Sequence, residues 1–410
     1  MRRRRIGEAI KVASAAFAAA QTATIASLLV IDQLRKRKRR DSGFPSLPPT
    51  EIEADGNLVT VYMKGRDLYE DMLASIEAAQ DTILFETYIW KADRMGVRFK
   101  DALIAAADRG VSVYVVYDVF GNLVVPPKFF DFPPNIHVLR HKPWAGMRGH
   151  LTIRVPGLNH RKLLVVDSTV AYLGGYNIGA MYANRWRDTH VRIRGEAVVE
   201  LANVFIDYWN TARSHGLPRL PDPDFRVWDA GFTIVRNVPS VAVYPIRYMY
   251  LEALDRATDR IWLTHAYLIP DDDLTLALVD AVERGVDVRI IVPAESNHIV
   301  ADWLSRGFYR FLLSRGVRLF LYQGAMVHAK TATVDGLWST IGTANLDRLS
   351  LMGNFELNVE FLNEAVAEEM ERIFEFDSEN CVELTLEEWN SRSLAAKLSE
   401  AILSPLRPLL

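Results

Sequence analysis

The stretch DTILFETYIWKADRMGVRFKDALIAAADRGVSVYVVYD, residues 81–118, decides the fold. A short apolar run leads to a polar turn, then to alanines and leucines at helical spacing, a helix-ending Arg-Gly and a β-branched run. The order is strand, helix, strand. It returns in DRIWLTHAYLIPDDDLTLALVDAVERGVDVRIIVP, residues 259–293. Such a unit buries its helix on a parallel or mixed sheet, so its repetition predicts an α/β chain made of two homologous halves. With 410 residues, 50% of them hydrophobic, the chain can fill two cores.

Downstream of each unit stands His-x-Lys-x-x-x-x-Asp: His160, Lys162 and Asp167 in the first half, His328, Lys330 and Asp335 in the second. Counting from each histidine, a glycine follows at +14 (Gly174, Gly342), an asparagine at +17 (Asn177, Asn345) and a carboxylate at +28 (Asp188, Glu356). A lone histidine beside an apolar strand is more often a structural residue, and a lone lysine a solvated one; two copies at matching offsets reverse that. The flanks LLVVDSTVAYLGG and TATVDGLWSTIGT alternate apolar runs around a polar turn, which predicts a β-hairpin under each motif.

These residue types suit phosphoryl transfer. His and Lys two positions apart on a strand face one way, so two hairpins can aim four side chains at one phosphate. Lys162, Lys330, Asn177 and Asn345 are expected to neutralise and hydrogen-bond the nonbridging oxygens without a metal. One histidine would attack phosphorus and the other protonate the leaving alkoxide, then deprotonate the acceptor. A nucleophilic imidazole needs its second nitrogen held, and Asp188 and Glu356 are the candidates for that. Within the catalytic set, Asp167 and Asp335 follow the strand at the turn and are read as structural, capping turn amides.

The paired HRKLLVVD and HAKTATVD, with GGYN and GTAN after them, resemble the two HKD motifs of the phospholipase D superfamily over residues 55–365. Within it, NLDRLSLMGNFELNVEF and WRDTHVRIRG resemble bacterial cardiolipin synthases, although Gly175 and Thr343 stand where the superfamily often has serine. The resemblance implies two α/β/α halves related by a pseudo-twofold axis with the active site at their interface, and no cofactor or metal. It implies transfer of a phosphatidyl group from phosphatidylglycerol to a second lipid hydroxyl with release of glycerol, and favours His160 as nucleophile with His328 as acid/base. It also implies a bacterial cell (inner) membrane setting with the site on the cytoplasmic side. Competing expectations are a hydrolase of phospholipids or, less favoured, nucleic acid, and a non-catalytic lipid-binding scaffold.

Charge separates these readings. Residues 1–40 hold eleven basic residues against Glu8 and Asp32, net +9, so the total of −3 leaves −12 on the rest. An acidic body argues against a nucleic-acid partner. Anionic phospholipids such as phosphatidylglycerol and cardiolipin are the expected partners, and a homo-oligomer stays open. The charge-free run Val12–Ile31 between arginine clusters predicts a membrane anchor or interfacial helix, with a cleaved signal or transit peptide as the alternative. One cysteine, Cys381, excludes an internal disulfide.

The expected organisation is an N-terminal membrane segment (1–40), a linker (41–54), the first half (55–215), a second linker (216–240), the second half (241–380) and an amphipathic tail (381–410) that lies on a membrane or docks on the body. In the proline-dense stretch before His160, Phe129, Phe130, Phe132 and Trp144 are read as lining a lipid entrance, against the alternative of an ordinary packed loop.

Overall fold

The computed structural model describes residues 2–38, 43–143, 157–221, 231–297 and 299–405. Trp144 lies outside them. Both repeat units form as read. Asp93 caps the helix Arg94–Asp108 by accepting from the amides of Met95 and Gly96, and Asp271 caps Asp272–Glu283 through the amide of Leu274. Each helix is followed by a glycine in the left-handed region, Gly110 at φ +96° and Gly285 at φ +93°, where a side chain would be strained. Beyond it the chain returns as a parallel neighbour, Thr82–Thr87 beside Ser112–Asp118 and Arg260–His265 beside Asp287–Pro293.

The motif hairpins extend these sheets antiparallel. In the first sheet the spatial order runs Ile136–His141, Ser112–Asp118, Thr82–Thr87, Leu163–Val166, Val170–Gly174, Trp186–Arg194, Asn57–Lys64, Thr50–Ala54. The second repeats that order with Arg318–Tyr322, Asp287–Pro293, Arg260–His265, Lys330–Val334, Trp338–Gly342, Glu356–Leu362 and Thr233–Asn237, and adds Cys381–Leu384 as an edge strand beside Arg318–Tyr322.

Three of these strands correct the expected boundaries. Residues 50–54 and 233–237 fall in stretches read as linkers and 381–384 in the tail, yet each completes a sheet edge. Edge strands are short and polar on one side, so their pairing is set by the neighbouring strand more than by their own pattern. The phenylalanines before His160 also pack inward. Phe130 stacks on Tyr117 at 4.0 Å, and Phe129, Phe130 and Phe132 surround Trp90 within 6.2 Å, so they form core and not a lipid entrance.

Each sheet covers its outer face with its own helices, giving separate cores around Phe85, Phe99 and Leu103 and around Leu263, Leu278 and Ile290. A third core is shared. It joins the inner faces of both sheets with the helices Ala197–Ala212 and Glu364–Glu379, through residues such as Leu201, Phe205, Leu357, Phe361 and Met370. The N-terminal helix is longer than its apolar run and spans Arg2–Lys38.

Candidate active site

The halves meet along two matching seams, and backbone pairing there positions the chemistry. In one, the amide of His160 donates to the carbonyl of Phe355 at 3.0 Å and the amide of Phe355 to Leu158 at 2.9 Å. In the other, Met326–Val327 pairs in parallel with Trp186–Arg187, and the amide of His328 donates to the carbonyl of Arg187 at 2.6 Å. Each histidine thus lies against the residue that precedes the other half's carboxylate.

The carboxylates are therefore exchanged. Nδ1 of His160 lies 3.0 Å from Oε2 of Glu356, and Nδ1 of His328 lies 2.6 Å from Oδ2 of Asp188. With Nδ1–H donated to a carboxylate, Nε2 keeps its lone pair for phosphorus or for a proton. The two sites are not identical. Nζ of Lys330 approaches Nδ1 of His328 to 2.8 Å and also donates to its carbonyl, whereas Nζ of Lys162 donates to the carbonyl of His160 at 2.5 Å.

Gly175 and Thr343 follow the same asymmetry. A side chain at Gly175 would begin 2.0 Å from Oδ1 of Asp188, so serine there would require the carboxylate to shift from its place on His328. Thr343 in the second half has room, and its hydroxyl donates to Oε2 of Glu356 at 2.5 Å, the oxygen that holds His160.

The two histidines are largely buried: His160 is 9% exposed and His328 5%. Burial disfavours charge, so Lys162 falls to about 7 and Lys330 to about 8 despite the carboxylates beside them. Burial also lowers His160, against the opposing pull of Glu356, and takes His328 down to about 3, with Lys330 adding to the shift. For Asp188 burial acts upward, but Lys330, His328 and hydrogen bonds together hold it below the usual carboxylate value. The resting site pairs neutral imidazoles with loosely held lysine protons, an arrangement that a phosphate anion would stabilise.

The two asparagines expected at the site are buried as well. Asn177 accepts the amide of Ile89 through Oδ1 at 3.1 Å, while Oδ1 of Asn345 has no partner among the described residues. Asp167 and Asp335 stand apart from it, beyond the strands Leu163–Val166 and Lys330–Val334. Asp167 accepts the amides of Gln80, Asp81 and Thr82, each at 2.8 Å. Asp335 accepts those of Thr258, Asp259 and Arg260 at 2.8–2.9 Å.

Residue-type matching missed the aromatic wall. Tyr88 packs edge-on against the His160 ring at 4.8 Å, Trp186 lies 4.8 Å from His328, and Tyr267 stands edge-on to His328 at 6.4 Å. Tyr88 and Tyr267 both follow the carboxyl end of the first strand of their repeat unit, where α/β sheets place ligands. That shared position was a usable signal. Asp347, raised to about 6 mainly by burial, caps the short helix Arg348–Met352 near Lys330 and has no carboxylate counterpart in the first half, where Gly179 stands at the same offset.

Known proteins share this architecture. The phosphatidylserine synthase of Haemophilus influenzae Rd KW20 superposes with a TM-score of 0.67 at 12% identity, over 89% of this chain and 95% of that one. The cardiolipin synthase of Clostridium perfringens (strain ATCC 13124) is 31% identical over 373 residues, 86% of this chain and 77% of the relative. The major cardiolipin synthase ClsA of Bacillus subtilis (strain 168) is 32% identical over 373 residues, 88% of this chain and 77% of the relative. The family described as cardiolipin synthase, PLD-like domain, matches residues 72–209 and 250–378, one stretch in each half, and the chain belongs to that family.

Proposed function

We propose that this enzyme is a phosphatidyltransferase of the cardiolipin synthase type, moving the phosphatidyl group of phosphatidylglycerol to the hydroxyl of a second phospholipid. The observation that carries the reading is the pair of buried imidazoles, each with Nδ1 on a carboxylate of the opposite half and each beside a buried lysine. Nε2 of His160 attacks phosphorus as the bond to glycerol breaks, and His328, in the tautomer with its proton on Nε2, gives that proton to the departing alkoxide while Lys330 passes one to Nδ1. His328 then takes the proton of the acceptor hydroxyl, whose oxygen displaces His160 from phosphorus. Lys162, Lys330, Asn177 and Asn345 hold the nonbridging oxygens, and Asp188 and Glu356 orient the rings. Asp167 and Asp335 support the strands and take no part in the reaction.

Transfer and hydrolysis differ only in which hydroxyl reaches the phosphohistidine. The likeness to cardiolipin synthases along both halves favours transfer. Anionic phospholipids are then both substrates and surroundings, and the working location is the cytoplasmic face of the bacterial cell membrane. Purified protein incubated with phosphatidylglycerol vesicles, alongside His160→Ala and His328→Ala, tests this by mass spectrometry of the products. Cardiolipin with glycerol, lost in both variants, is the expected result; phosphatidic acid alone would make the enzyme a hydrolase.

A further inference from the structure

The N-terminal helix has an apolar window, Ser14–Leu34, long enough to cross a bilayer. The middle of that window is docked on the body. The side-chain amide of Gln21 donates to the carbonyl of Ile402 at 3.1 Å, and Leu28, 5% exposed, packs with Ile269, Ile299, Leu304 and Leu403. Ile25 joins the same cluster, so positions 21, 25 and 28 make one stripe along the helix.

A window that crossed the bilayer would carry its docking partners to the middle of the hydrocarbon. One of these is the helix Ile299–Ser314, which bears the ion pair of buried Asp302 with half-buried Arg306 at 3.0 Å, together with Arg310. Charges of that kind are costly in lipid. The faces turned away from the body are apolar instead. Phe17, Leu29, Val30, Ile31 and Leu34 are exposed on the N-terminal helix, and on the neighbouring helix Leu394–Leu403 Leu394 is 83% and Leu398 62% exposed. Basic clusters, Arg2–Arg5 and Arg35–Arg40, stand at both ends of the window on a chain whose remainder carries −12.

From this arrangement we propose that the helices Arg2–Lys38 and Leu394–Leu403 form a monotopic platform that lies in the interface of an anionic bilayer without crossing it. The apolar faces enter the acyl boundary, and the basic ends bind headgroups that would repel the acidic body. Ile269, under Leu28, is two residues from Tyr267, whose ring faces His328, so the platform holds the active site beside the headgroups. Its use in catalysis rests on the lipid-substrate reading; its depth in the membrane does not.

The single cysteine makes the test direct. In full-length Cys381→Ser protein, a polarity-sensitive nitrobenzoxadiazole dye is placed at Lys11→Cys, at Ala23→Cys, exposed in the middle of the window, or at Leu398→Cys and mixed with phosphatidylglycerol/phosphatidylcholine vesicles. The dyes at 23 and 398 should both shift to the blue and be quenched at least twofold more by lipids spin-labelled near the headgroup than at the chain centre. The dye at 11 should stay reducible by external dithionite. Stronger quenching at 23 from the chain centre with protection at 11 would overturn the proposal in favour of a crossing helix, and an unresponsive dye at 398 would remove the C-terminal helix from the platform. Leu394→Glu/Leu398→Glu should lower vesicle binding about tenfold or more while turnover of a soluble phosphodiester stays within twofold. None of the depth readouts depends on which lipid product is made.

Discussion

Nδ1 of His328 has two claimants, Asp188 at 2.6 Å and the Lys330 ammonium at 2.8 Å, and one in-plane position can satisfy only one of them. When Asp188 accepts, Nε2 carries a lone pair and the ring is a base. When Lys330 donates, the proton moves to Nε2 and the ring is an acid. Among the described residues His160 has only the carboxylate of Glu356 on Nδ1, which fixes its lone pair on Nε2 as a nucleophile needs. The steps can be separated with a p-nitrophenyl phosphodiester, whose leaving group needs no proton. Asp188→Ala leaves Lys330 unopposed and keeps His328 in its acid form, so it should release close to one equivalent of p-nitrophenolate and stall with phosphate on His160. Glu356→Ala should show no burst, and both should lose about 10²–10⁴-fold in steady-state turnover. Stopped-flow amplitudes and mapping of the phosphorylated residue check this; a burst in the Glu356 variant alone would exchange the two roles. The carboxylates were legible at their offsets, but their exchange between halves was not, because it depends on which strands meet at the seams.

The hairpins owe their registry to the aspartates that end each motif. Asp167 and Asp335 sit in the left-handed region, at φ +51° and +53°, and each gathers three backbone amides from the start of the neighbouring strand. For Asp335, burial acts upward, but the amides of Arg260, Thr258 and Asp259 and the Thr258 hydroxyl outweigh it and lower the carboxyl below its ordinary value. A folded-state value below the unfolded one means stabilisation that is present above about pH 4 and is lost as the pH falls through the folded value. Asp335→Asn keeps a residue that tolerates positive φ and removes the charge. At pH 7 it should cost about 0.5–1 kcal/mol in urea denaturation, a small figure because solvent screens the partly exposed carboxylate, and the cost should shrink as the pH falls below about 4, while turnover per folded molecule stays within twofold. An equal loss of turnover would return the aspartate to the chemistry. Elements of this kind were legible because their periods and turn residues are local. The phenylalanines at 129, 130 and 132 misled because proline density suggests exposure, whereas Trp90 and Tyr117 draw their rings inward.

At the scale of the whole chain, neither half completes a site. Each supplies the carboxylate for the other's histidine, and both contribute to one shared core. The repeat and the motif offsets made two halves legible, but a seam formed by residues 140–196 positions apart leaves no pattern along the chain. Its centre is Arg187, buried, bonded to Asp377 through Nε at 3.1 Å and Nη2 at 2.6 Å. The same guanidinium donates to the carbonyl of Asp188 at 2.6 Å and to the Thr189 hydroxyl at 2.9 Å, so it also fixes the carboxylate that serves His328. These roles can be told apart. Asp377→Asn strands a buried cation and should cost roughly 3–5 kcal/mol, whereas Arg187→Met/Asp377→Leu replaces the pair with apolar volume and should recover stability to within about 1–2 kcal/mol of the wild type. Turnover should not recover with it: without the guanidinium, Asp188 loses its anchor, and the double variant should stay at least about tenfold slow, the equivalent of one lost hydrogen bond to a charged group. Denaturation curves and turnover measured on the same preparations decide the matter, and recovery of both would reduce Arg187 to a support of the fold.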